Sequence, residues 1–354
     1  ALRDAPGPEQ DPPQRSLDRQ LRALLEQRRP DVVLTVGWAD RAYRRLLWHA
    51  QLRRLPAVLI ADSRRRDAPR RPLREWGKRL LLRHYSAALV AGRESRAYLE
   101  GLGFPAAAIA QPWDVVDHAV FAAAAEEARA EARSSASASA APPLRPHLLC
   151  VGRAIPEKNL PALVAAFGAY QSQGGGWGLR LLGAGGEGAE SRAVRAAIAR
   201  LPRPQWVRLE PFLDQPAVAR AYGLASALVL PSRKDTWGLV VNEAMAAGLP
   251  VIVSSACGCA ADLITPGETG WLVDPADPHQ LAAALHRAEA QPPAERAAMT
   301  AAAHRRLQGF TLEACARGLV QAVRHAHRHP RGPGGAASLA LGLSARLSST
   351  GVGR

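Results

Sequence analysis

The sequence predicts an α/β protein built from two parallel-sheet domains. Short apolar, β-branched runs alternate with helix-length amphipathic segments along most of the chain, the pattern of a parallel sheet covered by helices. The 354 residues leave room for two domains of ordinary size. An Ala/Ser/Pro-rich stretch at residues 122–146 interrupts the alternation and separates the halves.

Residues 1–15 are rich in Pro and Asp and are expected to be disordered. In residues 16–29 Leu17, Leu21, Leu24 and Leu25 recur at helical spacing, with Ser16 as N-cap and Pro30 beyond the end. Residues 31–36 read as a strand, 39–54 as an amphipathic helix and 56–61 as a second strand running into Asp62 and Ser63. A strongly basic helix at 73–85, a strand at 87–91 and a helix at 94–102, stopped by Gly103, continue the first domain, 16–121. In the 122–146 stretch, residues 134–143 offer nothing that forms a core, so a flexible linker or insert is expected.

The second domain is expected over 147–326. Strands at 147–151, 179–182, 206–209, 227–230 and 251–254 alternate with helices at 159–170, 191–200, 215–225 and 238–247. A short apolar segment at 270–273 and helices at 278–289 and 294–308 follow. The Gly/Pro/Ser-rich residues 327–354 read as a disordered tail.

The formal charge of +15 comes mostly from Arg, and residues 41–83 hold 14 basic against 3 acidic side chains. A solvated surface explains this most simply; anionic lipid headgroups or a phosphorylated substrate are the next partners to consider. No nucleic-acid-binding signature accompanies the charge, so nucleic acid is not an expected partner. Four cysteines, two of them at Cys257 and Cys259, make neither a disulfide framework nor a zinc site, and a reducing, cytoplasmic setting is expected. No apolar run approaches the roughly 18 residues that span a bilayer, and no signal-peptide pattern opens the chain.

The chemistry gathers around residues 227–262, where a strand, a charged loop, a helix and a second strand form a βαβ pattern. Asp235 lies on the loop and Glu243 in the helix, with seven residues between them. A largely apolar helix rarely holds an unpaired Glu. A ligand's vicinal hydroxyls would satisfy Glu243, and a salt bridge to Arg233 or Lys234 is the alternative; for Asp235 the alternative is a loop cap. Upstream, Gly152, Arg153 and Lys158 follow a strand and precede a helix N-terminus, which makes an anion site by charge and by free N–H groups. Gly183 and Gly185 follow the next strand, either to admit a ligand near the backbone or as a plain tight turn. The N-terminus of the 238–247 helix offers further donors, and Asp262 follows the strand at 251–254. Together these edges describe a pocket for a nucleoside diphosphate and a polyol.

The segment PSRKDTWGLVVNEAMAAGLPVIVS closely resembles the donor-binding signature of the family 4 retaining glycosyltransferases of the GT-B fold, and VGRAIPEKNL resembles their diphosphate loop. The resemblance is strong over 148–273 and weaker over 31–120, where it rests on alternation and on WDVVDHAVF. It implies two Rossmann-like domains facing a cleft and transfer of a sugar, with retention, from a nucleotide-diphosphate sugar to a glycan or lipid-linked acceptor. It implies that Arg153 and Lys158 neutralise the diphosphate and that Glu243 holds the ribose. Asp235 would meet the sugar hydroxyls, with the backbone of Trp237, Gly238 and Leu239 beside sugar and phosphate. Neither a metal nor another cofactor is implied, because cations and helix N-termini stabilise the leaving group.

Two departures stand out. Asp235 is one methylene shorter than the Glu usual at that position, and no strand with a glycine-rich loop precedes Ser16. Asp62 and Ser63 stand on the acceptor side, where the family often has His. A shortened N-terminal domain with an exposed sheet edge is therefore expected, along with peripheral contact at a membrane's cytoplasmic face through the Arg-rich half. The alternatives are a nucleotide-sugar epimerase of the same fold and a truncated, non-catalytic nucleotide-binding homologue.

Overall fold

The computed structural model describes residues 14–138 and 145–331, in two compact units: one holds residues 115–312, the other those up to 114 together with those from 313 onward. The expected disorder at 1–15 falls almost wholly outside the described residues, as do residues 139–144 and 332–354.

The first unit contains α1 (Gln14–Arg28), β1 (Val33–Val36), α2 (Arg41–Leu52), β2 (Ala57–Ala61), α3 (Pro72–Leu82), β3 (Ala87–Val90), α4 (Arg93–Gly101) and β4 (Ile109–Ala110). The strands form a parallel sheet in the order β1-β2-β3-β4. Every residue of β2 and β3 is buried, as inner parallel strands covered on both faces require. β1 alternates and ends on an exposed Val36; among the described residues it is an edge strand. Asp40 starts α2 by accepting from the Ala42 and Tyr43 amides at 2.7 and 3.2 Å.

The second unit contains α5 (His118–Ala138), β5 (His147–Val151), α6 (Leu160–Ser172), β6 (Gly178–Leu182), α7 (Ala189–Ile198), β7 (Val207–Glu210), α8 (Gln215–Leu224), β8 (Ala227–Leu230), α9 (Leu239–Ala246) and β9 (Val251–Ser254). After these come α10 (Ala260–Leu263), β10 (Trp271–Val273), α11 (Pro278–Ala290) and α12 (Pro293–Leu307). All six strands are parallel, in the order β10-β9-β8-β5-β6-β7. From β5 the chain builds outward through β6 and β7, then returns to β5's other side with β8. That reversal opens a crevice at the carboxyl ends of β5 and β8, where open α/β sheets bind ligands.

Two expectations are corrected. The described part of the expected linker at 122–146 is mostly helix α5, packed against α8 rather than loose. Phe121, Ala125 and Ala128 are buried at helical spacing, and a Cβ on Gly223 of α8 would lie 2.4 Å from the Ala125 carbonyl. Alanine-rich composition looks like low complexity, yet it is also the best helix former and lets helices approach closely.

The second correction concerns the end of the chain. Residues 313–326, expected in the second domain, belong to the first unit: helix α13 (Leu312–Arg328) packs on its sheet and runs two residues into the expected tail, most of which lies outside the described residues. Ala322 and Ala326 sit among Val58, Ile60 and Leu89. Ala314, Gly318, Ala322 and Ala326 recur every four residues, a stripe of small side chains that brings the helix down onto β3 and the residues after β4.

Candidate functional site

At the β5/β8 crevice two loops distant in sequence are fastened together. The Glu157 carbonyl, in the loop after β5, accepts from the Arg233 and Lys234 amides of the loop after β8, at 2.8 and 3.3 Å. Asn159 adds a second clasp: its Nδ2 donates to the Pro231 carbonyl at 3.2 Å and to the Pro275 carbonyl at 3.0 Å. Asn159 is buried and holds a left-handed backbone with φ 56°, a conformation Asn tolerates better than most residues. Fixed this way, Lys158 Nζ donates to Asp235 Oδ2 at 2.6 Å, with the two side chains 21% and 14% exposed. Gly152 lies against the aliphatic stem of that lysine: a Cβ there would be 3.5 Å from Lys158 Cε. Arg153 is exposed and makes no ion pair among the described residues.

The Asp235 loop is clamped from its other side. Gly258 N donates to the Asp235 carbonyl at 3.0 Å and Cys259 N to the Trp237 carbonyl at 2.9 Å. The contact is so close that a Cβ on Gly258 would sit 1.8 Å from the Thr236 oxygen. The Trp237 side chain turns inward, its Nε1 donating to Asn242 Oδ1 at 2.9 Å and its ring 5.5 Å from Phe310. Only the Trp237 backbone therefore belongs to the loop's outer surface. Gly238, at φ +100°, caps α9, and Leu239 at the helix start is exposed.

Glu243 is half-buried on α9 and faces Tyr222 of α8, not Arg233 or Lys234. The fully buried Tyr222 hydroxyl donates to Glu243 Oε2 at 2.7 Å. Burial raises the Glu243 carboxyl above the ordinary carboxylate range, and the Tyr222 hydrogen bond pulls it partly back. Burial first and the neighbouring Glu243 second push the Tyr222 phenol well up, so it remains a donor.

Asp262 is 4% exposed on α10, inside the fold rather than at an open surface. Together with Asp235 and Cys257 it acts on the buried Cys259, whose thiol is raised by burial first and by these neighbours next; it is an inert thiol. For Gly183 and Gly185 the tight-turn alternative accounts for the positions. Gly183, at φ +88°, donates to the Glu210 carbonyl at 3.1 Å, and a Cβ there would lie 3.1 Å from the Gly152 oxygen. A Cβ on Gly185 would be 2.8 Å from Glu210 C and Pro211 N. These glycines let the ends of β5, β6 and β7 meet. Asp62 and Ser63 belong to the other unit, half-buried after β2, where the Asp62 carbonyl accepts from Ser95 Oγ at 2.8 Å. Among the described residues no three His, Cys, Asp or Glu side chains gather around a common point.

The structure thus joins Lys158, Asp235 and the backbone of 236–239 in one crevice, with Glu243 on the helix that rises from it. It adds Asn159 and Tyr222, which sequence reasoning missed. Asn159 gave one usable signal, a turn-forming residue directly before an apolar helix. Tyr222 gave none, because a helical Tyr between Ala and Gly reads as ordinary core.

A profile of "Glycosyl transferases group 1" matches residues 134–306, and one of the "Glycosyl transferase 4-like domain" matches residues 3–111. The D-inositol 3-phosphate glycosyltransferase of Frankia alni is 39% identical over 120 residues, which cover 34% of this chain and 29% of that protein. The chain thus matches less than a third of that relative's length. Among solved structures, the sucrose-phosphate synthase of Thermosynechococcus elongatus superposes with a TM-score of 0.69 at 26% identity, covering 90% of this chain and 81% of that one. Anabaena HepE, solved in complex with UDP, gives a TM-score of 0.70 at 16% identity over 87% and 81% of the two chains, a likeness of fold.

Proposed function

We propose, from the premise that the chain belongs to the family 4 glycosyltransferases of the GT-B fold, that it moves a sugar from a nucleotide-diphosphate donor to a glycan or lipid-linked acceptor with retention of configuration. The observation that supports this reading most is the clasped pair of loops at the β5/β8 crevice, which sets Lys158 against Asp235 at 2.6 Å beside the start of α9.

In this reading Lys158 and Arg153 neutralise the diphosphate, and the amides opening α9 add donors for it. Glu243 accepts from the ribose hydroxyls while Tyr222 holds its second oxygen. Asp235 accepts from a hydroxyl of the donor sugar, so Lys158 bridges sugar-binding carboxylate and leaving phosphate. As the glycosidic C–O bond to the phosphate breaks, the acceptor hydroxyl attacks from the same face and gives its proton to the departing phosphate oxygen. The cations stabilise the charge that develops there, so the reaction needs neither a strong protein base nor a metal. Asp62 and Ser63 are assigned to the acceptor side. The setting is cytoplasmic, with peripheral contact at a membrane through the Arg-rich first unit; among the described residues no helix is long and apolar enough to cross one.

The test is incubation with a panel of UDP- and GDP-sugars and candidate acceptors, followed by NMR of the product. Acceptor-dependent release of nucleoside diphosphate with an anomeric configuration matching the donor's supports the proposal. Inversion, or release of nucleoside diphosphate and free epimerised sugar without an acceptor, would replace it.

A further inference from the structure

Helix α3 presents part of its apolar surface to solvent, while Leu81 and Leu82 near its end pack on the core. Leu73 is 78% exposed and Trp76 57%, and Leu80, on the same face, is half-buried. The positions are i, i+3 and i+7, one continuous stripe. Two polar side chains of this helix face the protein instead: Glu75 and Lys78 bond each other at 2.9 Å, and both bond the Tyr98 hydroxyl of α4. Leu82 is buried on that inner side. A surface helix normally turns its apolar stripe to the core. Here the stripe faces out, and arginines flank it, Arg74 on one side, Arg79 and Arg83 on the other.

These three arginines are exposed and have no carboxylate partner among the described residues. Elsewhere in the basic 41–83 region part of the charge is compensated: Arg45 by Asp18, Arg53 by Glu26, Arg64 by Asp67 and Glu94, Arg66 by Glu94, and Arg70 by Glu75. Arg54, Arg65 and Arg71 are exposed with no ion pair among the described residues but lie outside any comparable apolar stripe. Uncompensated charge and exposed apolar surface therefore coincide on α3.

We propose that the outward face of α3 docks on an anionic lipid bilayer, Leu73 and Trp76 entering the headgroup–acyl boundary and the flanking arginines meeting lipid phosphates. The occupant follows from complementarity. An indole is at home at the boundary between hydrocarbon and water. Arginine stems lie along an apolar stripe while their guanidiniums reach outward. Each cation near an anionic surface adds attraction to the lipid phosphates, which a purely apolar protein partner would not supply. The inference rests on the peripheral-membrane part of the proposed function and names the element responsible.

The experiment is co-sedimentation with phosphatidylcholine vesicles, with and without phosphatidylglycerol at roughly a third of the lipid, for the chain and its Leu73→Ser/Trp76→Ser variant. Binding that needs the anionic lipid, weakens at high salt and falls about tenfold or more in the variant is the expected result. No binding to anionic vesicles, or equal binding by the variant, overturns the proposal. So does a dimer in light scattering that becomes monomeric in the variant, which would make the face a contact between copies. UDP calorimetry on the same two proteins separates the claims. A variant that still binds UDP is folded, and a chain that binds vesicles but no nucleotide overturns the donor reading while leaving this one standing.

Discussion

The Tyr222 hydroxyl and Glu243 Oε2 lie 2.7 Å apart, joining the buried face of α8 to the carboxylate proposed to hold the donor's ribose. Replacing Tyr222 by Phe removes the one hydrogen bond that lowers the Glu243 carboxyl, so the carboxyl rises further. Nucleotide affinity should fall about 5–10-fold, roughly 1–1.4 kcal/mol, the worth of one ordinary hydrogen bond. Affinity declines as pH drops through the Glu243 carboxyl, and in Tyr222→Phe that decline should begin at higher pH. Calorimetric titrations of UDP across pH 4.5–8 test both; a weaker but pH-parallel curve would mean Tyr222 only packs.

Glu243 should also cost stability. Its carboxyl is raised in the folded state, so the folded chain binds a proton more readily than the unfolded chain does. Stability attributable to this group is therefore highest below the unfolded carboxyl value and is lost as pH rises through the raised one. Glu243→Gln keeps the shape and an acceptor for Tyr222 while removing the buried charge. It should raise Tm by a few degrees at pH 7 and leave it nearly unchanged at pH 4. An equal change at both pH values would show that charge is not the cause.

The Lys158–Asp235 pair predicts a divided effect. Lys158→Met removes the cation proposed to neutralise the diphosphate and leaves Asp235, 14% exposed, without its partner. UDP affinity should fall more than tenfold and stability by roughly 1–2 kcal/mol. Asp235→Asn leaves the ammonium free for phosphate, so UDP should bind at least as well as before while sugar transfer drops sharply. Calorimetry and a transfer assay on the two variants distinguish this from a merely structural pair, for which both properties would decline together.

Helix α5 is a packed element, and Gly223→Ala tests that. The new Cβ would meet the Ala125 backbone at 2.4 Å and push α5 off α8, which should cost about 1–3 kcal/mol. Gly188→Ala, with nothing within 4 Å of its Cβ, should change stability by less than about 0.5 kcal/mol. Equal denaturation midpoints for the two variants would contradict the packing.

What the sequence revealed follows from where information is local. The fully apolar β2, β3 and β8, with β9 apolar up to its final Ser254, announce buried parallel strands, and helix ends were legible to within a few residues wherever Pro, Gly or an Asp cap marks them. Helix α5 was hidden because Ala and Ser repeats look alike whether they pack or not. Helix α13 was hidden because its small-residue stripe has meaning only against the first unit's sheet, whose strands lie some two hundred or more positions earlier in the chain. At the site, Lys158 and Asp235 could be named separately, but their pairing spans 77 positions and depends on the Glu157 and Asn159 clasps. For Gly183 and Gly185 the sequence left ligand approach and tight turn both open, because it cannot show that Gly152 packs against the first and Glu210 and Pro211 against the second.

The most direct measurement is calorimetric titration of UDP and GDP into the chain and into its Lys158→Ala and Glu243→Ala variants, with folding checked by circular dichroism. One nucleotide should bind the unaltered chain at one site, and both variants should lose at least tenfold in affinity for it. Unchanged affinities in both folded variants would contradict the assignment of this crevice to a nucleotide-diphosphate donor.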